Sequence, residues 1–199
     1  LGEGISVGAG KVICWNAKAD CPGECIDQVR LRLRAQRHLM VKTVTVPAGT
    51  FLMGDSFAEE NPDELPVHSV TLDEYEIGKY ELTNAQAVRI LQWAYDQGKI
   101  DSITSSFILL NGKELMQVDS PYNQIAYSNG HFSVKTRDGF SMEDHPAVEI
   151  SWYCAVALCN WLSEMEGATP CYDLSTWTRV DAAHGGYRLP TEAEWERAA

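Results

Sequence analysis

Two rhythms of apolar and polar residues divide this chain: short stretches alternate every second residue, and longer ones place apolar side chains three or four apart. The alternation is plainest in Val29-Arg30-Leu31-Arg32-Leu33-Arg34, which reads as a strand with one buried face. With the run from Ile5 to Ile13 and the Pro22-Gly23 turn, it makes residues 1–38 the C-terminal strands of a preceding β-rich, sandwich-like module. A second domain then occupies residues 39–199. Its first strand is expected at Val41–Val46, turned by Pro47-Ala48-Gly49, with further strands at Val67–Leu72 and Tyr75–Tyr80.

The helical rhythm begins at Thr83. Thr83 and Gln86 have capping-box spacing, Val88, Leu91 and Tyr95 form an apolar stripe, and Gly98 is placed to end the helix. Asn111-Gly112 and Asn129-Gly130 sit between apolar runs and predict two hairpins with type I′ turns, whose central residues must both tolerate positive φ. A short strand is expected at Ala147–Ile150, then Ser151 as the N-cap of a second helix with Ala155, Leu158, Leu162 and Met165 buried and Gly167 closing it. Thr191 and Glu194 repeat the capping box for a third helix just after Pro190. Helices and short strands in irregular order, joined by long loops, predict an α+β fold rather than a doubly wound sheet.

The 199 residues are 45% hydrophobic, enough to fill a core, and their charges are mixed along the chain, which argues against disorder. A formal charge of −12 opposes attraction to nucleic acid or anionic lipid. No uncharged apolar stretch approaches the ~20 residues of a membrane-spanning helix. The sequence opens at Leu1 without a signal-peptide pattern and stops inside the third helical pattern, so it reads as a fragment.

Dinucleotide, Walker, zincin and nucleophile-elbow motifs are absent. The six cysteines, Cys14, Cys21, Cys25, Cys154, Cys159 and Cys171, suit either disulfides or buried thiols. Cys21 and Cys25 are half a zinc pattern without a second pair. Cys154 and Cys159 lie about 140° apart around the second helix, so they share neither a bond nor a metal there. Cys159 falls on the Leu158 and Leu162 side as a small core residue, with Cys154 the more exposed of the two. Of the five histidines, His68 and His145 stand beside prolines and read as hydrogen-bonded loop anchors. The acidic stretch Asp55–Glu64 lacks the spacing of an EF-hand and reads as a solvated loop.

Five strings then occur in a telling order: Pro47-Ala48-Gly49-Thr50-Phe51-Leu52-Met53-Gly54, Glu64-Leu65-Pro66-Val67-His68-Ser69-Val70, Tyr80-Glu81-Leu82-Thr83-Asn84-Ala85-Gln86, His145-Pro146-Ala147-Val148-Glu149-Ile150-Ser151-Trp152-Tyr153, and Tyr187-Arg188-Leu189-Pro190-Thr191-Glu192-Ala193-Glu194-Trp195-Glu196. Their sequence and separation resemble the N-terminal part of the sulfatase-modifying-factor, or formylglycine-generating-enzyme, family, from about Val41 to Ala199. The resemblance implies that family's irregular α+β fold, related to C-type lectins. For the intact protein it implies oxidation of a cysteine to formylglycine in a sulfatase or another polypeptide, with copper held by two cysteines and calcium as a structural ion. It also implies an alternative, a catalytically silent, lectin-like binding or structural module of a secreted or surface protein.

In the family the copper-binding cysteines follow the last of the five strings. No catalytic, cofactor-binding or metal-ligating role therefore passes to any residue of this chain, and Cys154, Cys159 and Cys171 are not candidates for it. The family roles expected here are structural: Thr83, Thr191 and Glu194 as caps, Trp152 and Trp195 as core anchors, and Arg188 paired with Glu81 or Glu192. The appended β-module and the even cysteine count point to an extracytoplasmic bacterial protein, periplasmic or secreted. Oligomeric state is not legible in the sequence.

Overall fold

The computed structural model describes residues 40–55, 64–180 and 185–199. The strands expected within residues 1–38, the Cys21 and Cys25 pair and most of the acidic stretch lie outside the described residues. The ordered elements are β1 (Thr43–Val46), β2 (Gly49–Met53), β3 (His68–Leu72), β4 (Tyr75–Gly78), α1 (Asn84–Asp96), β5 (Ser102–Ile103), β6 (Phe107–Leu110), β7 (Lys113–Gln117), β8 (Ile125–Ser128), β9 (His131–Val134), β10 (Thr136–Arg137), β11 (Phe140–Ser141), α2 (Trp152–Met165), β12 (Tyr172–Asp173), β13 (Thr178–Arg179) and α3 (Glu192–Ala198). The strands make small antiparallel sheets: β1 with β4, β2 with β3, β5-β6-β7, β8 with β9, β10 with β11, and β12 with β13. This is the irregular α+β architecture expected from the pattern.

Helix α1 begins where the capping box predicts. The Thr83 hydroxyl accepts from the Gln86 N–H at 3.3 Å, and the Gln86 side-chain oxygen accepts from the Thr83 N–H at 2.9 Å. Its buried face is Asn84, Ala87, Ile90, Leu91 and Ala94; of the expected stripe Leu91 is buried and Val88 packs partly buried against the core, while Tyr95 does not belong to it. The helix is covered by β9 and α2, and two small alanines on that face permit close approach. Tyr95 is 37% exposed and instead meets Tyr127 edge-on at 5.5 Å.

Helix α2 starts at the predicted cap, with the Ser151 hydroxyl accepting from the Cys154 N–H at 3.1 Å. It is buried around most of its circumference, through Cys154, Val156, Ala157, Leu158, Asn160, Trp161, Leu162 and Ser163. A helix buried around most of its circumference has no single apolar stripe: Leu158 and Leu162 are buried as expected, Met165 packs partly buried against the core, and Ala155 is half-buried. Trp161, 1% exposed, is the tryptophan of the main core. Trp152 and Trp195, expected to be anchors, are 51% and 59% exposed.

Both Asn-Gly turns are as predicted, with φ of 48° and 70° at Asn111-Gly112 and 51° and 84° at Asn129-Gly130. Asp138-Gly139 makes a third of the same kind between β10 and β11. The strand expected at Ala147–Ile150 does not form. Glu149 has φ of 60°, which interrupts extended backbone, and only the bridges Thr83 to Pro146 and Met116 to Ile150 remain.

Candidate functional site

Between β1, β4 and the segment from Gly185 to Glu194 lies a cleft of about 360 Å³, lined in part by Thr43, Tyr75, Glu76, Tyr187, Arg188 and Glu194. The segment is drawn against α2 because Gly186 has no side chain: a Cβ there would collide with the Thr169 carbonyl oxygen and the Ser163 hydroxyl. That closeness lets the Tyr187 N–H donate to the Ser163 hydroxyl at 2.7 Å, while the Tyr187 hydroxyl donates to Glu166 at 3.0 Å. The other Glu166 oxygen accepts from the Met40 N–H at 2.9 Å, so one carboxylate joins α2, the Tyr187 segment and the approach to β1.

Arg188 forms a fork with Glu194, Nη1 to Oε2 at 2.6 Å and Nη2 to Oε1 at 2.5 Å. Neither expected partner, Glu81 or Glu192, is used. Glu194 is the third residue of α3, and the capping box turns its carboxylate back toward Thr191, which brings it to Arg188. The Arg188 bonds, opposing the cost of burial, hold the Glu194 carboxyl down at about 2. The same fork raises the Arg188 pKa. Tyr75 donates its hydroxyl to the Glu194 carbonyl at 2.5 Å, the Gly54 N–H donates to Glu196 at 2.9 Å, and Arg197 donates to the Pro47 carbonyl at 3.1 Å. Short helix α3 is thereby fastened to β4 and to both ends of β2.

Arg188 and Glu194 satisfy each other, Glu76 accepts from the Thr43 hydroxyl at 3.4 Å, and the cleft's described lining contains no cysteine or histidine. Its arrangement suits holding a shape more than supplying a base, a nucleophile or a soft-metal ligand. Of the loop anchors, His68 makes its predicted bond, Nδ1 to the Pro66 carbonyl at 3.0 Å.

The three described cysteines are free thiols. Cys154, expected to be the more exposed, is fully buried in the main core. Burial first and the nearby Cys159 second push its thiol up to about 12. Cys159 is half-buried against the small cluster of Val156, Cys171 and Tyr172, and burial, with Cys171 beside it, also takes it to about 12. Helix α2 packs against two clusters, the main core on the Cys154 side and the smaller one on the Cys159 side, so both thiols are covered. Copper(I) requires accessible thiolates. These thiols do not fit it, and no group of three or more His, Cys, Asp or Glu side chains is gathered for a metal among the described residues. In the folded protein, Cys154 is expected to resist iodoacetamide at pH 8 and to become labelled only with denaturant, as read by peptide mass mapping.

Asn160, buried in α2, carries no cap or motif signature in the sequence. Its side chain donates to the Tyr172 carbonyl at 2.7 Å and accepts from the Cys171 and Tyr172 N–H groups at 3.1 Å each. The available signal was an asparagine inside the apolar run Leu158-Cys159-Asn160-Trp161-Leu162.

Residues 30–199 match the family of the Sulfatase-modifying factor enzyme 1-like domain. The chain belongs to this family. It is 29% identical over 167 residues to the formylglycine-generating enzyme of Bos taurus, the match covering 78% of this chain and 38% of that enzyme. To the formylglycine-generating enzyme of Thermomonospora curvata it is 28% identical over 179 residues, covering 83% of this chain and 51% of that one. Its fold is similar to the crystal structure of CarF, with a TM-score of 0.52 and 25% identity over 81% of this chain and 57% of the other. The chain therefore spans about half or less of the length of these enzymes. Among the described residues no helix is long and apolar enough to cross a membrane.

Proposed function

We propose that the protein carrying this chain converts a cysteine of a polypeptide, such as a sulfatase, to formylglycine, and that this chain supplies framework rather than reacting groups. The observation that carries the reading is the family match over residues 30–199 together with 28–29% identity to two formylglycine-generating enzymes. The fastening of α3 onto β2 and β4 gives the framework role its physical content. On this reading the copper and the calcium belong to residues other than the described ones, and no step is derived through them.

The test is to incubate the full-length protein, supplied with copper(I) and oxygen, with a peptide bearing one cysteine in a sulfatase-type sequence. Conversion is expected to appear as the mass change for CH₂SH becoming CHO and as capture of the new aldehyde by a hydrazide. An inert full-length protein, with copper bound and the peptide unchanged, would instead favour the silent binding module.

A further inference from the structure

Cys159 and Cys171 belong to one apolar cluster beside α2, outside the cleft's described lining. Val156 and Cys159 stand three residues apart on α2 and so share a face of the helix. Val156, Cys171 and Tyr172 are buried together there, and Cys159 packs half-buried against them. The residue next to Cys159 pins this contact. Asn160 receives the Cys171 and Tyr172 N–H groups at 3.1 Å each and donates to the Tyr172 carbonyl at 2.7 Å, so the Cys171 backbone lies within one side chain's reach of the helix. Burial raises the Tyr172 pKa, and Cys159 and Cys171 add to that rise, so both sulfurs lie near the same hydroxyl. Cys154 is the contrast, fully buried in the main core.

We propose that Cys159 and Cys171 form a disulfide when the protein meets an oxidising thiol–disulfide pool, closing the chain between α2 and β12 into a short covalent loop. The bond would hold covalently what Asn160 holds with three hydrogen bonds. The oxidant is a small-molecule disulfide such as oxidised glutathione. One cysteine thiolate attacks it and releases one glutathione thiol, and the second thiolate then displaces the other. The two cysteines thus give up two protons and two electrons, and one glutathione disulfide becomes two thiols.

Only the thiolate attacks, and burial first, with Cys171 beside it, holds Cys159 up at about 12. Exchange in the closed fold is therefore slow, and the bond forms as the chain folds or when the contact between Asn160 and the start of β12 opens. Cys154, in the other cluster, stays reduced. This inference does not depend on the conversion of a cysteine to formylglycine.

The test treats the full-length protein with oxidised glutathione at pH 8 in urea just below its unfolding midpoint, where local contacts open, then dilutes out the urea. Remaining thiols are trapped with N-ethylmaleimide in denaturant. Peptide mapping without reductant is expected to show one linked pair of peptides, carrying Cys159 and Cys171 and lighter by two hydrogens than their sum, with Cys154 alkylated. The linked protein is expected to melt about 5 °C or more above the reduced one, and dithiothreitol to abolish the difference. Cys171→Ala is expected to lose both the linkage and the shift, and Cys154→Ala to keep both. Mapping of the parent protein decides the matter even where a variant fails to fold. The proposal is overturned if Cys159 and Cys171 are both recovered alkylated, if either is linked to a different cysteine, or if the linked protein melts no higher than the reduced one.

Discussion

Asn160→Leu is expected to lower the unfolding free energy of the domain by about 3–5 kcal/mol, the largest loss from any single hydrogen-bonding side chain in it. Asn160 is 3% exposed at the middle of α2 and completes three bonds to the backbone of Cys171, which precedes β12, and of Tyr172, its first residue, both also buried. Leucine has the right volume but leaves two buried N–H groups and one carbonyl without that partner. Each buried group left unsatisfied costs about 1–3 kcal/mol, and the total is a large share of the 5–15 kcal/mol typical of a domain. Urea unfolding with an unchanged m-value checks it. A loss below about 1 kcal/mol would show that water replaces the asparagine.

Asn160→Asp separates the two halves of this contact. The carboxylate keeps the acceptor for Cys171 and Tyr172 but turns an oxygen toward the Tyr172 carbonyl, where the amide had donated. Only the protonated acid can replace that donor. The Asp variant is therefore expected to recover part of the lost stability as pH falls from 7 to 5, a gain that Asn160→Leu cannot show.

Element identity was legible where it rests on local chemistry. Thr83, Ser151 and Thr191 cap helices because their hydroxyls satisfy amides three residues on, and Asn-Gly pairs turn because both residues accept positive φ. Such causes lie within a few residues of one another and can be read off a sequence. What failed to read depends on distant partners. Arg188 chose Glu194 over Glu81 and Glu192 because the capping box reorients the Glu194 side chain. The exposure of Trp152 and the burial of Cys154, neighbours but one on α2, are set by which elements cover each side of the helix. The Trp152, Tyr153 and Trp177 cluster joins one end of α2 to the β12–β13 hairpin, and no spacing rule links them. Family membership was legible for a different reason: five strings in order identify a fold without explaining a site.

The second large effect concerns the fork at the cleft. Holding the Glu194 carboxyl at about 2, against 4.5 for an ordinary one, means that the ionised form favours the folded state by about 3 kcal/mol. A folded pKa below the unfolded value makes this contribution complete above pH 4.5 and progressively lost as pH falls from there toward 2. Glu194→Gln is expected to remove it. Glutamine with its oxygen in the Oε2 position still receives the Thr191 N–H and Arg188 Nη1, so the helix cap survives, while the Nη2 bond is lost to the amide nitrogen and a guanidinium whose side chain is 27% exposed loses its counter-charge. The variant should lose about 2–4 kcal/mol at neutral pH and show a flatter stability profile between pH 4.5 and 2 than the parent. Because the Leu189 N–H donates to the Tyr172 hydroxyl at 3.0 Å, the fork adjoins the strand that Asn160 holds. The double variant should consequently lose less than the two single losses combined, since a segment already released from α2 positions Arg188 less well. Strict additivity in that cycle would show that the fork and the Asn160 contact stabilise the fold independently.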